Sequence, residues 1–108
     1  MDLVKIIKDH EVWFDSMGEN GKKADLRGLN LPNTQFSNVW LIEADLMGGN
    51  FSHSDFSGAD LRGANLQDAI LSNANFSGTN LEEVDLTWSN SKDADFSGAN
   101  LNGSYLNG

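Results

Sequence analysis

From Ala24 to Gly108 the chain repeats every five residues. The clearest copies are Ala24-Asp25-Leu26-Arg27-Gly28, Ala44-Asp45-Leu46-Met47-Gly48, Ala59-Asp60-Leu61-Arg62-Gly63 and Ala94-Asp95-Phe96-Ser97-Gly98. Stepping by five from Leu26 gives 17 consecutive pentads, and sixteen of their centres are Leu or Phe, Ser91 being the departure. Two residues before each centre the side chain is nearly always small or β-branched, with Leu29 the large exception. An amphipathic helix repeats near 3.6 residues and a half-buried strand at 2, so a period of five requires the backbone to turn once per pentad. That is the signature of a solenoid.

A second period lies over the first. Phe36, Phe56, Phe76 and Phe96 recur every twenty residues, each followed by Ser, and Leu26, Leu46, Leu66, Leu86 and Leu106 form another such column. Four pentads therefore make one coil with four faces. Coils stacked at the ~4.8 Å strand spacing give a rod of only ~20 Å.

Thirteen of the residues immediately before the centres are Asp or Asn, from Asp25 to Asn100. Their short side chains favour local turn hydrogen bonds and tolerate unusual backbone angles, and turn chemistry explains them. The A(D/N)LxG-type pattern over residues 24–108 resembles the pentapeptide-repeat proteins. The resemblance implies an all-β solenoid, a right-handed quadrilateral β-helix of about four coils. It also implies that each centre and the small residue two before it point inward.

Residues 1–23 read differently and form, with the repeat of residues 24–108, one structural domain. Leu3, Ile6, Ile7, His10, Trp13, Phe14 and Met17 recur at three- and four-residue spacing, with Asp2 as N-cap and Gly18 as a stop. This predicts an amphipathic helix over residues 2–17. A solenoid exposes unpaired edges and bare core at its ends, so the helix is expected to cap the first coil with Leu3, Ile7, Trp13, Phe14 and Met17 as its packed face. No such cap follows the last pentads, and Leu101, Tyr105 and Leu106 are the expected residues of an end-to-end association, a homodimer through the C-terminal coil.

No catalytic set stands out. The two histidines, His10 and His53, fall on the helix and at an outward turn position, and there is no cysteine to supply a thiolate, a disulfide or a zinc ligand. Neither histidine has a metal-ligand partner at recognisable spacing, the glycines fit turn positions, and no phosphate-binding loop is present. The reading is a non-enzymatic protein with no cofactor and no metal. A net charge of −9 opposes direct binding to nucleic acid, whose phosphates need Lys and Arg. No apolar run is long enough to span a bilayer, and charges interrupt any signal-peptide core, so a cytoplasmic protein without membrane association is expected.

Departures from the repeat mark positions that the fold itself does not explain. Gln35, Trp40, Ile70 and Tyr105 replace the Asp or Asn before a centre. Trp40 and Ile42 suit either packing beneath the helix or an exposed site. Met47, Ile70 and Trp88, in successive coils around one corner, form the candidate patch for a protein partner. The leading expectation is a rigid protein–protein interaction module. The alternative comes from the resemblance: some pentapeptide-repeat proteins confer quinolone resistance, are similar to duplex DNA in shape and charge, and bind DNA gyrase. Those members are longer, with loops and a C-terminal dimerisation helix that this sequence lacks, and a ~20 Å rod matches only ~6 base pairs. A gyrase partner therefore requires the end-to-end dimer.

Overall fold

The computed structural model describes residues Met1–Gly108. Thirteen parallel β-bridges, from Asp25↔Asp45 to Asp85↔Tyr105, each join residues twenty apart. The bridges are isolated: a five-residue edge leaves room for one paired residue before the next turn. This corrects the all-β expectation in degree, since the chain has no extended strands.

Each pentad turns in the same way. The centre's carbonyl accepts from the amide three residues on, as in Ala59 N to Phe56 O at 3.0 Å, and the third turn residue has positive φ, 69° at Gly58. This is the type II pattern. Asn33, Asn38, Asp68, Asn73 and Asp93 hold that position without glycine, and so do Glu43, His53, Glu83 and Trp88. Twelve of the thirteen Asp or Asn side chains accept from the amide two residues on, as Asp55 does from Ser57 at 2.8 Å. Asn30 is the exception because Pro32 has no N–H, and its Oδ1 accepts from Asn50 Nδ2 instead. At this turn the buried Ser54 hydroxyl takes the place of the usual backbone bond, donating to Leu31 O and accepting from Thr34 N.

Between coils, the amide of a centre and the amide two residues later donate to the next coil, and the bridge amide donates back. Leu26 N to Asp45 O, Gly28 N to Met47 O and Asp45 N to Ala24 O are one set. The interior holds the centres and the small residues, with Phe36, Phe56, Phe76 and Phe96 stacked 4.7–5.1 Å apart and within 4° of parallel. Gly49 stands at an inward position because a methyl there would lie 2.5 Å from the Phe51 ring. No buried side-chain nitrogen or oxygen lacks a hydrogen-bond partner.

One helix, α1 (Leu3–Asp15), precedes the coil, with the Asp2 carboxylate accepting from Lys5 N as its N-cap. It is shorter than expected, because Ser16 and Met17 leave helical geometry. Gly18 N donates to Trp13 O and Met17 N to Phe14 O, a Schellman closure with Met17 left-handed at φ 56°. That conformation costs a non-glycine residue roughly 1–2 kcal/mol.

Leu3, Ile6 and Ile7 pack on the core. Trp13 is half-buried, its ring 5.3 Å from His10 and under Lys23 Nζ at 5.6 Å. The packed face expected of the helix is corrected at its C-terminal end: Phe14 is 38 % exposed and Met17 94 %. The helix runs past the edge of the coil, and its last apolar residues find no core beneath them.

The return into the coil passes close under the helix at Gly21. A methyl there would meet the Asp9 carbonyl and lie 2.6 Å from the Trp13 backbone nitrogen, at φ 71°. Gly21→Ala is expected to lower the melting temperature by about 10 °C, from a cost of about 2 kcal/mol. Calorimetry showing an unchanged melt would mean that the helix is not held against this turn.

Candidate functional site

One polar side chain is fully buried where α1 meets the first coil, His10. Its Nδ1 accepts from Ala24 N at 2.9 Å, so the proton of the neutral ring sits on Nε2, which donates to Ile42 O at 2.7 Å. Elsewhere the carbonyl at the position of Ile42 accepts from an amide of the preceding coil, as Met47 O does from Gly28 N. His10 supplies that donor at the coil's first edge. Burial first, and then the charge of Lys23, push its pKa below the ordinary 6.5, against the Ile42 hydrogen bond and the charges of Glu43 and Glu11. Of Trp40 and Ile42, which suited either packing or an exposed site, Ile42 is buried and Trp40 is half-exposed on the bridge to Asp60. The role of His10 is structural.

Outward, the carboxylates follow the columns. Arg27 donates to both oxygens of Asp25 and reaches Asp45 at 3.6 Å, and its side-chain hydrogen bonds hold the Asp25 carboxyl down at about 2. The Thr87 and Ser97 hydroxyls likewise hold Asp85 and Asp95 below the usual carboxylate range. No three His, Cys, Asp or Glu residues group closely enough to hold a metal ion. His53 is exposed at a left-handed turn position.

Met47, Ile70 and Trp88 are all exposed. The Trp88 indole, however, lies against Gly108, where a methyl would be 2.6 Å from its Cε3. It leans toward the last coil, and it does not line the depression beside Ser91. That depression, about 360 Å³, is lined by uncharged side chains including Phe96, Leu101 and Leu106. Leu106 is 61 % exposed, and the amides of Ser91, Phe96, Leu101 and Leu106 donate to no backbone carbonyl. Tyr105 sits apart from this surface, exposed on the outer face and bridged to Asp85.

The family model for pentapeptide repeats matches residues 22–58 and 50–87, with eight copies. The chain is a pentapeptide-repeat protein. Such proteins form right-handed β-helices and are generally structural or interaction modules. The pentapeptide-repeat protein alr5209 of Nostoc PCC 7120 is similar in structure, with 26 % identity, a TM-score of 0.73, and coverage of 87 % of this chain and 73 % of that one. HetL, a pentapeptide-repeat protein involved in heterocyst differentiation regulation in Nostoc sp. strain PCC 7120, is 27 % identical with a TM-score of 0.42, covering 76 % of this chain and 44 % of HetL. QnrB1, a plasmid-mediated fluoroquinolone resistance protein, is 20 % identical with a TM-score of 0.39, covering 78 % of this chain and 48 % of QnrB1. No curated protein sequence matches this pentapeptide-repeat chain. No helix in it is long and apolar enough to cross a membrane.

Proposed function

We propose that the chain is a right-handed quadrilateral β-helix of about four coils capped by α1, acting in the cytoplasm as a non-enzymatic, rigid module for binding another protein. The observation that carries this reading is the exposure of apolar Trp40, Met47, Ile70 and Trp88 on a backbone tied coil to coil by hydrogen bonds. Side chains so mounted keep a fixed pitch and lose little freedom on binding. Combining Met47→Ser, Ile70→Thr and Trp88→Ser is expected to abolish partner cross-linking with an unchanged far-UV spectrum. Retained cross-linking would remove this corner as the binding surface.

The outward acidic columns favour a second reading, an acidic mimic of DNA that engages DNA gyrase as an end-to-end dimer. The terminal depression lined by uncharged side chains is where two copies of so acidic a chain meet with least repulsion. Light scattering is expected to show a concentration-dependent dimer that Leu106→Lys converts to monomer. Inhibition of gyrase supercoiling by the wild type, lost in Asp45→Lys/Asp85→Lys, supports the mimic; monomer throughout and no inhibition would exclude it.

A further inference from the structure

The end of α1 that overshoots the coil opens onto a groove. Trp13, Phe14 and Met17 line a depression of about 470 Å³ with Asp15 and Glu43 at its rim. It adjoins a second, about 340 Å³, that shares Phe14 and Glu43 and runs past Ile42 to Glu82 and Glu83. Met17 is the most exposed large apolar side chain of the protein, and it holds a left-handed backbone although Gly18 follows directly. With Trp13 and Phe14 beside it, Met17 forms a contiguous apolar patch on the surface.

Carboxylates outnumber cations around the groove, with Lys23 over the Trp13 ring at 5.6 Å. Asp15, Glu43, Glu82 and Glu83 form no salt bridge, and the one cation among the lining residues, Arg62, is held by Asp60 at 2.7 Å. Glu43 and Glu83 belong to a column that alternates with glycine, and their side chains lie over Gly63 and Gly103. Two coils separate them, about 10 Å at the strand pitch, which a polyproline II segment spans in one three-residue turn of about 9 Å, so that its side chains three apart face the same way.

We propose that this groove binds an extended, cationic segment of a partner protein: a large apolar residue seated among Trp13, Phe14 and Met17, followed by two basic residues three positions apart that meet Glu43 and Glu83. The proposal rests on the interaction-module reading and assigns it a surface distinct from the Met47, Ile70 and Trp88 corner. The acidic rim disfavours anionic lipid, for which exposed apolar helix ends are otherwise suited.

The test uses the peptide acetyl-Gly-Leu-Phe-Gly-Arg-Gly-Gly-Arg-Gly-amide, read by Trp13 fluorescence in the full chain carrying Trp40→Phe and Trp88→Phe and by amide chemical shifts in the wild type. Saturable binding that shifts residues around Phe14, Met17, Glu43 and Glu83 is expected. Met17→Ser, whose side chain touches no core, and separately Glu43→Gln/Glu83→Gln, are expected to weaken it at least about tenfold. Raising salt from about 50 to about 300 mM is expected to weaken it as well. Equal binding of a peptide with Leu and Phe replaced by Gly, or no binding at all, would overturn the proposal. So would Met17-dependent binding to phosphatidylcholine or phosphatidylglycerol vesicles. Shifts confined to the Met47, Ile70 and Trp88 corner would overturn the groove while leaving the interaction module standing.

Discussion

Phe56→Ala is expected to destabilise the protein by about 4 kcal/mol, the cost of removing a buried aromatic ring and leaving a cavity. Phe56 is fully buried and lies between Phe36 at 4.7 Å and Phe76 at 4.9 Å, with Phe51 edge-on at 5.8 Å. A cavity there cannot collapse easily. The carbonyl of Phe56 is held by the Thr79 hydroxyl at 2.7 Å, and its neighbours along the chain are bonded to coils on both sides. Against a total stability of roughly 5–15 kcal/mol, such a loss lowers the melting temperature by about 20 °C. Phe56→Leu keeps most of the volume and is expected to cost about 1.5 kcal/mol, chiefly the stacked geometry. Denaturant titration giving less than about 2 kcal/mol for Phe56→Ala would mean that neighbouring coils slide to fill the gap, and the column would not be rigid.

The second large effect is expected at His10. His10→Ala leaves the amide of Ala24 and the carbonyl of Ile42, both on buried residues, without the ring that joins them, and is expected to cost about 3 kcal/mol. The same geometry sets a pH dependence. Adding a proton to Nδ1 breaks its bond to Ala24 N, and burial already lowers the folded pKa below 6.5. The unfolded chain therefore takes up this proton first. The stabilisation is full above pH 6.5 and falls as pH drops through the window down to the lowered folded value, below which it stays constant. Asp25, Asp85 and Asp95, held below 3.8, contribute stability that is lost only at lower pH. Urea midpoints measured from pH 7 to pH 4 are expected to fall for the wild type and to stay nearly level for His10→Ala. Parallel curves for the two would remove His10 as the acid-sensitive link between helix and coil.

The period of five and the column of phenylalanines were legible in the sequence because each inward position is met once per turn, so residue type repeats with the geometry. The Asp and Asn side chains were legible too, since all but Asn30 bond an amide two residues away in their own pentad. The helix was visible from its 3.6-residue spacing, yet its packed face was overextended: Phe14 and Met17 satisfy the periodicity but lie beyond the edge of the coil. Trp88 stood out as an exception to the repeat, but its lean toward Gly108 depends on a residue twenty positions later having no side chain. The alternation of Glu43, Gly63, Glu83 and Gly103 was a readable signal for the groove, lost among other acidic residues.

The repeating coil, its inward residues and the chemistry of its turns can be read from the residues alone, because these are local patterns restated in every pentad. Where the helix ends relative to the coil, how His10 joins Ala24 to Ile42, and which apolar side chains stay uncovered are set by packing in three dimensions. Those depend on the meeting of segments that occur once, and a contact made once leaves no period to read.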